Sequence, residues 1–217
     1  MVRLNLIIEG GVYADSVSVE TANNAESLRE ALHNFFTRLL NRDDIEITIF
    51  MGNGYRNAAK KFVAASVPIS LFVDSDLPPD EKYQWFEKLI NDNEPDKTIV
   101  IPEEKKESVF FMIQEMEAWF LKQPTCMDKW ADKEGYKRKN SEEISQHSLI
   151  KGKSIEKINK PSKKLEILLR TFFEKNKKAA RYGKLKTVPA LLDALDVSEL
   201  ESLDKELQRF HSFVKDK

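Results

Sequence analysis

The chain has 217 residues, 41% of them apolar and 33% charged, and its 35 Lys and Arg against 36 Asp and Glu leave a net charge of −1. That length suits one α/β domain with an appended subdomain, and the composition reads as a soluble globular protein. No apolar run approaches the length of a membrane span, and the three histidines, His33, His147 and His211, show no zinc-ligand spacing.

Residues 2–8 read as a strand by their apolar content, and Gly10-Gly11 as the turn after it. The run is too short for a signal peptide and no small-residue cleavage site follows it. Leu28, Leu32, Phe35 and Leu39 recur at helical spacing, so residues 25–40 are expected to form a helix capped by Asn24. Residues 45–51 alternate and are rich in β-branched side chains, a second strand. Gly52-Asn53-Gly54 is a turn, and 55–65 a helix carrying Arg56, Lys60 and Lys61. A third strand spans 67–73, with Pro68 tolerated at its start. Pro78-Pro79 should open a helix running to about Asn91. Strands are expected at 97–101 and 108–114, and a helix at 115–122. This alternation predicts a mostly parallel sheet with helices on both faces, occupying residues 1–123.

The remainder, 124–217, changes character and is expected to be a lysine-rich, mainly helical extension packed on the core. Residues 124–160 are polar and weakly periodic, 161–174 form an amphipathic helix opening on Pro-Ser, and two helices near 187–195 and 198–214 end the chain. Ser198 and Glu201 have the spacing of a capping box. Charge is split unevenly: residues 122–190 hold 19 Lys and Arg against 8 Asp and Glu, while the rest of the chain holds 16 against 28. A local excess of this kind suits either a polyanion-binding surface or a solvated lysine face. The single cysteine, Cys126, cannot form an internal disulfide, which points to a cytoplasmic setting.

In parallel α/β sheets ligands bind beyond the carboxyl ends of the strands. Two strands end there in acids: Glu9 after Leu6-Ile7-Ile8, and Asp74-Ser75-Asp76 after Ile69-Ser70-Leu71-Phe72-Val73. Two carboxylates one residue apart can reach a single ion, and Mg²⁺ prefers a few carboxylates plus water and substrate phosphate. The competing reading is structural, since aspartates often end strands as turn formers and helix caps. Glu117, in Gln114-Glu115-Met116-Glu117-Ala118-Trp119-Phe120-Leu121, is an acid among apolar neighbours that either belongs to the core or faces the same pocket.

Glu9-Gly10-Gly11, Asp74-Ser75-Asp76, Gln114 to Leu121, Pro161-Ser162-Lys163-Lys164-Leu165 and Tyr182-Gly183-Lys184, in this order and spacing, resemble an uncharacterised bacterial Toprim-like family related to the Toprim nucleases of the overcoming-lysogenization-defect type. The resemblance implies a Toprim-like sheet and metal-dependent phosphodiester hydrolysis. It implies Glu9, Asp74 and Asp76 as ligands of Mg²⁺ (or Mn²⁺), with Glu9 also a candidate general acid/base. It further implies Glu117 as a supplementary acid and Lys184 as a neutraliser of phosphate. DNA or RNA would be the substrate. A separately encoded ATPase is an expected partner, because Toprim-like proteins of this kind resemble antiphage defence effectors and this chain has no Walker A pattern. A homo-oligomer stays open. One departure is Val12 to Val19, which looks extended and polar where many Toprim enzymes are helical. The alternatives are a non-catalytic Toprim-derived adaptor, and a small α/β enzyme acting on a nucleotide or phosphorylated metabolite.

Overall fold

The computed structural model describes residues 1–11, 19–91 and 94–215. The segment Val12 to Ser18 lies outside them. Four strands, β1 (Val2–Ile8), β2 (Ile45–Met51), β3 (Ser70–Asp74) and β4 (Val109–Met112), form one sheet in the order β2-β1-β3-β4, and every neighbouring pair is parallel. Each crossover carries helical structure: α1 (Val19–Leu40) between β1 and β2, α2 (Tyr55–Ala64) between β2 and β3, and a 3-10 segment (Lys82–Leu89) with α3 (Glu103–Lys106) between β3 and β4.

The period of two along each strand divides the core. Leu4, Leu6, Ile8, Phe72, Phe110 and Met112 face one apolar cluster, while Ile7, Leu71, Val73, Val109 and Phe111 face another. Both faces are covered, as a parallel sheet requires. On the second face lie Ala58, Ala59 and Phe62 of α2 with Trp85 and Leu89. On the first lie Phe35 and Phe36 of α1 and side chains from the rest of the chain: α4 (Ala118–Lys122), α5 (Thr125–Glu134), α6 (Pro161–Phe172), α7 (Lys184–Ala194), α8 (Val197–Leu203) and α9 (Lys205–Lys215). Residues 1–123 and 124–217 therefore share one apolar cluster, with Phe36, Phe72, Phe110 and Phe210 in mutual ring contact across it. A second sheet, antiparallel, joins β5 (Lys137–Arg138), β6 (Phe173–Lys175) and β7 (Lys178–Ala179) in that order. Among the described residues no helix is long and apolar enough to cross a membrane.

Several elements differ from their sequence expectations. Helix α1 begins at Val19, ahead of Asn24. The segment after Pro78-Pro79 is 3-10 rather than α, and tertiary partners take up its last carbonyls: Arg56 donates to that of Lys88 (3.1 Å) and the Ile99 amide to that of Leu89 (3.0 Å). Residues 97–101 alternate as a strand should, with Ile99 and Ile101 buried and Val100 70% exposed. They pair with the 3-10 segment instead of the sheet and so form no strand. The C-terminal helix is broken in two at Asp204. Its Oδ1 accepts from the amides of Glu206 and Leu207 (both 3.0 Å), and its Oδ2 from Trp119 Nε1 (3.1 Å) and Lys122 Nζ (2.9 Å). Helix α8 is capped by Asp196, which accepts from the Glu199 amide at 3.1 Å, rather than by Ser198.

Candidate functional site

Glu9 is the first residue after β1, and its amide continues the β1–β3 ladder by donating to the Phe72 carbonyl (2.7 Å). The chain then turns through Gly10 and Gly11, at φ +136° and +94°. The positive φ of Gly11 favours glycine there, and a Cβ would also press on the Asn53 carboxamide. The Gly52-Asn53-Gly54 turn is thus a packing partner of the first turn, with the Asn53 amide on the Gly10 carbonyl at 2.7 Å.

Asp74 is the last residue of β3, and the parallel register with β1 brings it beside Glu9: the Asp74 amide donates to Glu9 Oε2 at 3.1 Å. Asp74 is buried. Its Oδ1 accepts from the Met116 amide (2.9 Å) and its Oδ2 from Lys184 Nζ (3.3 Å). Lys184 opens α7 and reaches Glu117 as well, with Nζ 3.9 Å from Oε1. Glu117, just before α4, is 1% exposed. Its Oε1 also accepts a short hydrogen bond from the Tyr182 hydroxyl, and its Oε2 is buried with no partner among the described residues.

Asp76 is placed differently. It sits in the left-handed region at φ +53°, its amide donating to the Gln114 carbonyl at 2.8 Å, and Gln114 is itself left-handed at φ +63°. Ser75 Oγ fixes this bend by accepting from the Gln114 amide (2.9 Å). The turn sends the Asp76 carboxylate outward to Lys88 Nζ at 3.1 Å, where it is 63% exposed. The structure therefore gathers Glu9, Asp74, Glu117 and Lys184, and keeps Asp76 at the margin, near enough to add a small repulsion to Glu9.

The electrostatics follow from three carboxyl groups around one ammonium. Burial, then repulsion from Asp74, pushes Glu9 up to about 8. Burial also raises Asp74 to about 6: Lys184 and the Met116 amide pull it down, repulsion from Glu117 pushes it up, and burial prevails. Burial pulls Lys184 down, yet Asp74 and Glu117 more than reverse this, so it stays charged with its pKa above the ordinary value. Tyr182 is raised by burial and by Glu117, and remains a neutral donor. The cluster thus holds more negative charge than its lysine balances, and it relieves the excess by keeping a proton near neutrality.

This donor set suits a hard divalent cation in its chemistry: oxygen ligands, surplus negative charge and an orphaned buried carboxylate oxygen at Glu117. Yet among the described residues no three His, Cys, Asp or Glu side chains stand arranged around one ion. Lys184 fills the central place. Two partners carried no sequence signal of their role: Tyr182 lay in a recognised segment without an assigned contact, and Lys88 was indistinguishable from other helical lysines.

Fold and site together define a parallel α/β protein with an acidic cluster, neutralised in part by one lysine, at the carboxyl ends of its central strands. The chain belongs to the family described as Domain of unknown function (DUF4276), whose family model matches residues 10–215. The match takes in Asp74, Asp76, Glu117, Tyr182 and Lys184, and Glu9 lies one residue before it. No curated protein and no solved structure matches the chain.

Proposed function

We propose that the chain is a magnesium-dependent, Toprim-type nuclease that hydrolyses phosphodiester bonds. The observation that carries this reading is the gathering of Glu9 beside Asp74, and of Asp74 and Glu117 on Lys184, beyond the carboxyl ends of β1 and β3, with one Glu117 carboxylate oxygen lacking a partner among the described residues. Glu9, Asp74 and Glu117 would hold the ion. Asp76 would join by releasing Lys88, an exposed pair worth about 0–1 kcal/mol. When bound, Mg²⁺ polarises a phosphoryl oxygen and lowers the pKa of water. Glu9, poised near neutrality, would take the proton from the attacking water or return it to the leaving oxygen. Lys184, displaced from its carboxylates yet tethered at the start of α7, would turn its charge to the phosphoryl group. An ATPase on a separate chain, as in antiphage defence systems, would supply any nucleotide-driven step.

The test is incubation of the purified chain with plasmid, single-stranded DNA and RNA in Mg²⁺ or Mn²⁺. Metal-dependent cleavage that disappears in Asp74→Ala supports the reading. An intact substrate under every condition, with a neighbouring ATPase added, refutes it. One observation favours a second reading, a non-catalytic adaptor: Lys184 already occupies the cation position. Nucleic-acid binding without cleavage, insensitive to Asp74→Ala, would establish that alternative.

A further inference from the structure

The small antiparallel sheet breaks two local rules in the same place. Its β6–β7 hairpin turns through Asn176 and Lys177, both left-handed at φ +54° and +61°. Asparagine and glycine suit those positions; a lysine in the second costs about 1 kcal/mol or more. The register then sets Lys175 directly opposite Lys178, a like-charge cross-strand pair that opposes hairpin formation. Lys175 finds local relief, donating to the Glu134 carbonyl at 2.7 Å and lying 5.7 Å from the Tyr136 ring centre. Lys177, Lys178 and Arg181 are exposed and have no ion-pair partner among the described residues. Local conflicts only partly compensated are expected where function, not folding, selects the residue.

The hairpin also borders a concave surface of about 600 Å³ lined by Tyr136, Lys175, Asn176, Lys178, Ala179 and Arg181, with no acid in its lining. Arg181 precedes Tyr182 and Lys184, the two residues that bind the carboxylate cluster. Three residues of extended chain span at most about 11 Å. At about 3.4 Å of axial rise per nucleotide, that is roughly three steps of a strand.

We propose that this basic hairpin, with Arg181, binds the phosphodiester backbone of a nucleic acid and leads it to the carboxylate cluster. Lysine as the main contact gives sequence-independent attraction rather than bidentate base reading. The purpose of the bound strand rests on the nuclease reading; the binding itself does not.

The experiment measures fluorescence anisotropy of labelled duplex DNA, single-stranded DNA and RNA on the full chain in EDTA, over a salt series. The test variant is Lys177→Gln/Lys178→Gln/Arg181→Gln, all exposed positions. A charge-matched control is Arg3→Gln/Lys60→Gln/Lys215→Gln. The expected result is at least a tenfold loss of affinity in the test variant and a salt slope shallower by about 2–3, with the control close to wild type. The proposal is overturned by equal losses in both variants, by an unaffected test variant, or by a wild-type chain that binds none of the three probes. Cleavage is read separately. A chain that binds through the hairpin but leaves the strand whole in Mg²⁺ refutes the nuclease reading and supports the hairpin.

Discussion

Glu9→Gln should stabilise the protein at neutral pH, against the usual effect of altering a partly buried polar residue. The substitution keeps size and shape, and the new carboxamide oxygen can still accept from the Asp74 amide as Glu9 Oε2 does at 3.1 Å. What it removes is a charge. The native pKa of Glu9 is about 8 against an ordinary 4.5, so between those values the native state holds a proton that the unfolded chain has lost. Stability contributed by that proton is present in acid and is lost as pH rises through about 8. At pH 7 the gap above 4.5 sets a ceiling of about 3.4 kcal/mol on the penalty, at 1.36 kcal/mol per unit. Partial exposure of Glu9 and relaxation of Lys184 reduce this to about 1–3 kcal/mol, or roughly 3–10 °C in Tm for a chain of this length. Urea unfolding of wild type and variant in EDTA, from about pH 4.5 to about pH 8.5, gives the difference curve in which other titrating groups cancel. It should grow with pH. On the proposed magnesium reading, adding Mg²⁺ should raise wild-type stability more than that of the variant, because the ion would take the place of the proton. A difference curve flat in pH, or a variant less stable than wild type at pH 8, would refute the electrostatic account.

Three further outcomes follow, two from the same cluster and one from a separate buried ion-pair group. Lys184→Met leaves Asp74 and Glu117 without their ammonium and should cost about 3–5 kcal/mol in EDTA, with partial recovery in Mg²⁺, read as thermal midpoints with and without the ion. Tyr182→Phe removes the only donor within hydrogen-bond reach of Glu117 Oε1 among the described residues, with Lys184 at 3.9 Å, and should cost about 1–3 kcal/mol by chemical denaturation. Glu206 has the opposite sign to Glu9: burial pushes its carboxyl up, but hydrogen bonds from Arg209 and Lys82 hold it below the ordinary value. Glu206→Gln should therefore destabilise at neutral pH by about 1–3 kcal/mol, and the difference should vanish as acid protonates the wild-type side chain.

Much of the sheet was legible because its cause is local. The apolar content of 2–8 and of the expected strand at 67–73, with the alternation at 45–51, places strands wherever both faces will be covered. The β-α-β rhythm then leaves the chain little choice but parallel pairing, which put Glu9 and Asp74 at the same end. Elements whose form depends on a distant partner were not legible. The 97–101 segment has a strand's alternation but meets a 3-10 segment, and Asp204 breaks a helix because Trp119 and Lys122 reach it from elsewhere.

The same division runs through the site. Sequence alone determined which acids end the central strands, that residues 122–190 carry the positive charge, and that Gly10 and Gly11 permit a sharp turn. Only the tertiary structure decided which acids meet. It turned Asp76 out to Lys88 and brought Glu117, Tyr182 and Lys184 in, the last across 110 residues from Asp74. A strand's period is written in neighbouring side chains, whereas a shared charge depends on where segments far apart in the chain are packed.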